Sequence, residues 1–385
     1  MTLSGNEAGG LLGERDMIYA DRYNIILSAC QDLRRRRDQL VGPVIAGLVL
    51  DEVGMDVPSD VLLSHIVSEA LLRRVDRNLL AGKNIYLQAY EVAQIDLFDL
   101  LRKALPPLVQ GYAIANQHLA HALAELEGAA LLDIGVGKGV QLAMLMTTLA
   151  AAPGRLRRLR VVALDPSAAN LVEAQAVIEA AVRGLPGLPF TVEVVALRGL
   201  VERCDPSMLQ AAVAGFDGVV INAAYALHHT AHAPGDQGLR NELLRTLAGL
   251  RPRVFTLVEP NANHDTELLT RRVHSCWQHF GAVFELVDRS DMSPLEKFAI
   301  KEKFFGREVR DILGTSDNFR CERHEPYDSW LLRLAKAGLR PYPAIPLRIE
   351  LPDYCWAIER QGLVRLGYRE EALIAAFAYR CPEAS

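Results

Sequence analysis

The chain has 385 residues, half of them hydrophobic, with a formal net charge of -5 and a pI near 6.1. That is enough chain for one large domain or two smaller ones with a sizeable core, and too acidic a balance for a protein whose affinity rests on general attraction to a phosphate backbone. Six cysteines (Cys30, Cys204, Cys276, Cys321, Cys355 and Cys381) form no C-x-x-C pair, no basic stretch precedes an apolar run at the N-terminus and no apolar window could cross a bilayer, so a cytoplasmic protein with reduced thiols is expected, with no structural zinc, signal peptide or membrane partner.

Residues 1–14 are glycine-rich and expected to be loose. From Asp16 to Leu126 the apolar spacing is helical: Tyr23, Ile26, Leu27 and Cys30 share one face, as do Leu62, Ile66, Ala70 and Leu71. The run Arg34-Arg35-Arg36-Arg37 would fan round a helix rather than form a stripe, so it reads as a solvated helix end and not as a nucleic-acid site.

From Ala130 the pattern changes to short apolar, β-branched runs at 130–134, 159–165, 190–197, 216–222 and 254–259, separated by helical stretches such as 168–182, 199–213 and 238–250. This alternation predicts an α/β fold with a doubly wound, mostly parallel sheet, in which a ligand lies beyond the carboxyl ends of the strands at the switch point. The first run leads into Asp133-Ile134-Gly135-Val136-Gly137-Lys138-Gly139. For a dinucleotide fingerprint the third glycine comes one residue early, and for a P-loop the leading glycine is Leu132 and Lys138 is followed by glycine. The remaining pattern, acidic-x-G-x-G-x-G, resembles motif I of the S-adenosylmethionine-dependent methyltransferases, where the acidic group faces the ligand's ammonium and the glycines make room for its sulfonium and ribose. An ordinary βα turn is the competing explanation.

The other strand tips are polar. Asp165, followed by Pro166 and Ser167, could accept both hydroxyls of a ribose or cap the next helix, with Ser167 also available as the cap. The fourth tip carries Asn222 and His228, the fifth Glu259, Asn263 and His264. His228 is the candidate general base, with Glu259 and His264 as alternatives, although a histidine satisfied at a helix end fits the sequence equally well. His228, His229 and His232 lack a carboxylate that would complete an H-E-x-x-H pattern, so no metal site is assigned. Residues 288–339 return to charge-rich helical sequence and should be a helical insertion, and 353–380 reads as two or three strands with turns near Gln361-Gly362 and Glu370-Glu371, closing the sheet antiparallel.

With these residues placed, the chain resembles the GRAS proteins, known mainly as plant transcriptional regulators and found also in bacteria. Ala115-Asn116-Gln117 matches the element before that family's VHIID motif, and Leu131-Leu132-Asp133 stands where VHIID falls. Asn222 with Leu227-His228, Val258-Glu259, Ala262-Asn263-His264, Gly306-Arg307-Glu308, Glu322-Arg323-His324-Glu325 and Trp330 with Ala337-Gly338-Leu339 follow in the family's order. Plant members typically lose the glycines that this chain keeps at 135, 137 and 139, and the family's C-terminal tryptophans are here Tyr368 and Tyr379, which suggests a bacterial-type member with a retained ligand site.

The resemblance implies a methyltransferase-like Rossmann core of seven strands over 111–385, with an antiparallel C-terminal strand. It also implies a helical cap from 15–110 and an insertion at about 285–335. The expected function is an S-adenosylmethionine-dependent methyltransferase acting on a small, acidic molecule between core and cap; the alternative is a non-catalytic ligand sensor or protein-interaction scaffold. The expected cofactor residues are Asp133, Gly135, Gly137, Gly139, Asp165, Pro166 and Asn222, with His228 and Glu259 as catalytic groups. Asn116, Gln117, Asn263, His264, Arg307, Arg323, His324 and Trp330 are expected at the substrate, the cap residues having a salt-bridge network as their competing role. Nucleic acid is disfavoured as a partner, and a homodimer is open.

Overall fold

The computed structural model describes residues 21–33, 38–75, 91–151, 154–230 and 238–382. The glycine-rich start, the arginine run 34–37 and His232 lie outside the described residues. Two compact units are present, Met1–Leu100 with Asn263–Glu322, and Leu101–Ala262 with Arg323–Ser385. Among the described residues no helix is long and apolar enough to cross a membrane.

The first unit is helical. It contains α1 (described over 21–33), α2 (Asp38–Ala46), α3 (Ser59–Val75), most of α4 (Gln94–Ala104), α10 (Leu269–Arg289), α11 (Pro294–Phe298) and α12 (Gly306–Gly314), with a π-helical turn at Ala299–Phe305. The long helix α10 buries Val273, Cys276, Trp277, Phe280, Phe284 and Val287, an i, i+3, i+4 series that gives it one apolar face. Arg310 on α12 ties α3 to the π turn through Glu69 (2.7 Å) and Glu302 (2.8 Å).

The second unit is built on a nine-stranded sheet. The strands are β1 (Gly128–Ile134), β2 (Arg158–Asp165), β3 (Thr191–Arg198), β4 (Gly218–Ala224), β5 (Val254–Pro260), β6 (Arg340–Pro341), β7 (Cys355–Arg360), β8 (Leu363–Tyr368) and β9 (Glu371–Arg380). They lie in the order β3-β2-β1-β4-β5-β9-β8-β7, with β6 paired to β9. The first five are parallel, and the chain leaves β1 toward β2 and β3 before returning to β4 on the other side, so the switch point falls between β1 and β4. The expectation of seven strands with one antiparallel strand is corrected: the C-terminal region adds a β7–β8–β9 meander and the short β6, all paired antiparallel. Its turns place Gln361 (φ 34°), Gly362 (φ 77°) and Arg369 (φ 50°) in the left-handed region, which closes each hairpin within a few residues. A two-residue strand such as β6 has no periodicity to be read.

The alternation of β1 sorts two layers. Ala129 and Leu131 pack with α5 (Pro106–Ala124), α6 (Val140–Ala151) and α7 (Ala168–Arg183), while Ala130, Leu132 and Ile134 pack with α8 (Pro206–Val213), α9 (Gly238–Gly249) and α13 (Tyr327–Lys336). Every residue of β1 is buried, as a central parallel strand covered on both faces requires.

Candidate functional site

The β1–α6 turn is shaped by three residues in the left-handed region, Gly135 (φ 74°), Gly137 (φ 52°) and Gly139 (φ 75°). Two of them are also demanded by packing. A Cβ on Gly135 would stand 2.6 Å from the Ala226 Cβ at the tip of β4, and one on Gly139 would stand 2.9 Å from Ala174 Cα on α7. Both helix and neighbouring strand therefore approach the turn more closely than any side chain allows.

Asp165, at the end of β2, closes the turn from below. Its Oδ2 accepts the Gly137 N–H (3.1 Å), and its Oδ1 accepts the Ser167 N–H (2.8 Å) and the Asn170 Nδ2 (3.1 Å). Ser167 caps α7 by accepting the Asn170 N–H, so both capping candidates are used. Burial raises the Asp165 carboxyl above its ordinary range, against the pull of the Ser167, Gly137 and Asn170 donors. Pro166 contributes its carbonyl to Arg198 Nε at 3.4 Å.

Asp133 points the other way, into the α5–α6 layer. Register places it beside Asn222 on β4, and Asn222 beside Thr256 on β5, so the three side chains form a polar ladder on one face of three adjacent strands. Asn222 Nδ2 donates to Asp133 Oδ1 (2.5 Å) and Gln141 Oε1 (3.1 Å), and Thr256 Oγ1 donates to Asn222 Oδ1 (2.8 Å). Gln141 Nε2 donates to Asn116 Oδ1 (3.2 Å), and Asn116 Nδ2 donates to the Gln141 carbonyl (3.0 Å). All of these groups are buried. Burial pushes the Asp133 carboxyl up to about 7, opposed by the Asn222 bond and assisted by the charge of Asp165. Gln141 and Thr256 were not anticipated as members of this site.

At the tips of β4 and β5 a second cluster forms. Glu259 Oε2 lies 2.5 Å from His228 Nδ1 in the turn Leu227–His229, while its Oε1 accepts the Leu227 N–H (2.8 Å). Burial alone would raise the Glu259 carboxyl, but the charge and hydrogen bond of His228 bring it below its ordinary value. A carboxylate on Nδ1 fixes the imidazole's orientation, as it does for a histidine that acts as a general base. The His324 ring stands edge-on to His228 at 4.5 Å, and His229 lies at 3.8 Å.

Arg240 on α9, fully buried, holds this cluster from behind. It donates to the carbonyls of His228 (2.9 Å) and Arg323 (3.0 Å) and pairs with Glu325 (3.2 Å), which Arg333 also grips through both oxygens (2.7 and 2.5 Å). Its guanidinium lies 5.5 Å over the ring of Trp330. Trp330 is thus part of the apolar layer under the sheet. Beside the cluster, Tyr225 takes φ 56° and sends its hydroxyl to the Leu108 carbonyl (2.9 Å), close against Gly111 of α5. Arg240 and Tyr225 carry no motif that would have singled them out.

Of the remaining expected substrate residues, Gln117, His264 and Arg307 are engaged by their own surroundings, whereas Asn263 is exposed and bonds through its backbone N–H. Gln117 bridges the N–H (2.7 Å) and carbonyl (3.0 Å) of Arg348. In the helical unit, the Asn263 N–H donates to Ser275 Oγ (2.9 Å), the His264 ring stacks on Phe280 at 5.5 Å and Arg307 donates to the Val92 carbonyl (2.9 Å) and Gln94 Oε1 (3.1 Å). Both of these Arg307 bonds lie within the helical unit.

Comparison with known proteins places these features in a family. The GRAS domain family matches residues 60–347. Scarecrow-like protein 21 of Arabidopsis thaliana is 28% identical over 390 residues, covering 97% of this chain and 92% of that protein. Scarecrow-like transcription factor PAT1 of Arabidopsis thaliana is 27% identical over 321 residues, covering 78% of this chain; the chain spans 65% of that protein's length. Chitin-inducible gibberellin-responsive protein 1 of Oryza sativa subsp. japonica is 26% identical over 78% of this chain, which spans about half (55%) of it. Among solved structures, SCL7 of Oryza sativa superposes with a TM-score of 0.73 at 19% identity, covering 93% of this chain and 99% of that one, a likeness of fold.

Proposed function

This chain belongs to the GRAS domain family, and we propose that it acts as a non-catalytic regulatory scaffold built on a nucleotide-binding type of sheet. The observation that carries this reading is the state of Asp165. The carboxylate that would hold a ribose has both oxygens engaged by Gly137, Ser167 and Asn170, so the turn satisfies itself. Asp133, which would face an ammonium, is buried and accepts the Asn222 amide. The relative named a transcription factor supports the same direction.

A second reading, an S-adenosylmethionine-dependent methyltransferase for a small acidic acceptor, is favoured by the carboxylate-oriented His228 and by the three left-handed glycines. The residues as arranged fit that cofactor poorly: Asp165 already accepts three N–H bonds, which leaves about one of a carboxylate's roughly four acceptor sites where a ribose diol would use two. Calorimetry with S-adenosylmethionine and S-adenosylhomocysteine separates the two. The scaffold reading expects no measurable binding. Micromolar affinity, about -8 kcal/mol, abolished by Gly137→Arg and Asp165→Ala, would overturn it in favour of the enzyme.

A further inference from the structure

We infer that the amino-terminal rim of the parallel strands, the end of the sheet opposite the glycine turn, docks an acidic peptide segment of a partner protein. This deepens the scaffold reading and rests on it for the existence of a partner.

The rim is defined by register. Arg158 at the start of β2 pairs with Gly128, Ala129 pairs with Gly218 at the start of β4, and Val220 pairs with Val254 at the start of β5. Arg340 of β6 pairs with Arg380 at the end of antiparallel β9, which reaches the same edge. From β2 to β9 is four strand spacings, about 19 Å. Along it stand Arg155, Arg157, Arg158, Arg251, Arg253 and Arg340, all exposed. Arg155 pairs with Glu127 at 3.0 Å; among the described residues the other five make no ion pair. Asp217, one of the carboxylates near them with Glu125 and Glu127, is turned onto the Gly128 N–H at 2.7 Å.

Helix C-termini gather at this end, and arginine offsets their partial negative charge. Arg160 does this, donating to the Ala212 carbonyl of α8 at 3.3 Å. Arg158, Arg251, Arg253 and Arg340 bond to no helix carbonyl among the described residues, so their charge is left over in a protein whose net charge is -5. Every cation on these segments is arginine, whose planar fork grips a carboxylate bidentately.

A net charge of -5 opposes duplex DNA, with about one negative charge per 1.7 Å of axis, more than it opposes a short peptide carrying a few carboxylates. An extended peptide of about six residues spans about 20 Å and presents alternate side chains to one face, which matches the length of the rim. Half-buried Phe216, bracketed by Arg158 at 5.2 Å and Arg160 at 4.9 Å, adds an apolar footing that a peptide can use.

The test is fluorescence anisotropy on the full chain with a labelled glutamate-rich peptide of about ten residues, a lysine-rich peptide of equal length and a DNA duplex of about 20 base pairs. Saturable binding of the glutamate peptide alone is expected, weakened at least about tenfold by added salt and by Arg251→Glu with Arg253→Glu. Arg157→Glu with Arg158→Glu provides a second variant pair, and circular dichroism shows that each remains folded. Absence of peptide binding, tighter binding of the duplex, or affinity unchanged in both folded variant pairs would each overturn the assignment. Failure here is independent of the S-adenosylmethionine calorimetry, which addresses the opposite end of the sheet.

Discussion

Asp133 and Asn222 face each other across β1 and β4, the Asn222 amide donating to the Asp133 carboxylate at 2.5 Å with both side chains buried. No cation meets that carboxylate within the ladder, so the native state holds its proton up to about pH 7 while the unfolded chain releases it near the ordinary value of 3.8. The raised value makes ionisation oppose folding. Between about pH 4 and 7 stability attributable to Asp133 falls as pH rises, by up to roughly 1.4 kcal/mol per pH unit. Asp133→Asn removes the ionisable group at constant shape. Urea titrations across this range should show a gain in the variant that grows with pH; an identical pH slope in both proteins would refute it.

At Glu259 the sign reverses. Its carboxyl lies below the ordinary 4.5 because of His228, so its stabilisation is present above about pH 4.5 and is lost as pH falls through the native value. Glu259→Gln should therefore flatten the acid limb of the stability curve and leave the histidine easier to deprotonate. Histidine NMR titration checks the second half, and an unmoved His228 resonance would show that the pair is not coupled.

The turn glycines are expected to respond as packing residues. Gly139→Ala must place a Cβ 2.9 Å from Ala174 Cα in a left-handed conformation, at a cost of about 2 kcal/mol or more. Gly135→Ala should cost a similar amount against Ala226. Denaturant midpoints that match the parent protein would exclude the close packing described.

Asp165→Ala releases the Gly137 and Ser167 N–H groups and the Asn170 amide together, and a loss of about 2–3 kcal/mol is expected. If the variant were as stable as the parent, the carboxylate would have to be idle in the free protein, which would reopen its role as a ligand group.

Arg240→Met leaves two buried carbonyls without their donor and Glu325 with only Arg333, and a loss of about 3–5 kcal/mol follows. A double-mutant cycle with Glu325→Gln isolates the ion pair from the carbonyl contacts, and strict additivity would argue against the pair.

The central parallel strands, the glycine turn and the polar tips were legible in the sequence because each stands out locally: apolar runs, alternate glycines, and single polar residues ending apolar strands. Gln141 and Thr256 were not, since a glutamine opening a helix and a threonine in a strand are ordinary until register sets Asn222 between Asp133 and Thr256. The shared capping role of Asp165 and Ser167 is hidden for a related reason: Asn170 draws on both, its N–H bonding Ser167 and its side-chain amide Asp165. The rim arginines are scattered over residues 155–340 and come together only through strand order.

The ladder of Asp133, Asn222 and Thr256 also bears on how the chain finds its pairing. β1 and β4 are joined by a long stretch carrying two other strands, and their apolar residues alone would tolerate a shifted alignment. A slip of one residue would turn Asn222 into the opposite layer, into the position of Ile221, and strand Asp133 without a donor. The polar ladder therefore works as a proofreading device for assembly, admitting one alignment of three strands that hydrophobic contact could not distinguish from its neighbours.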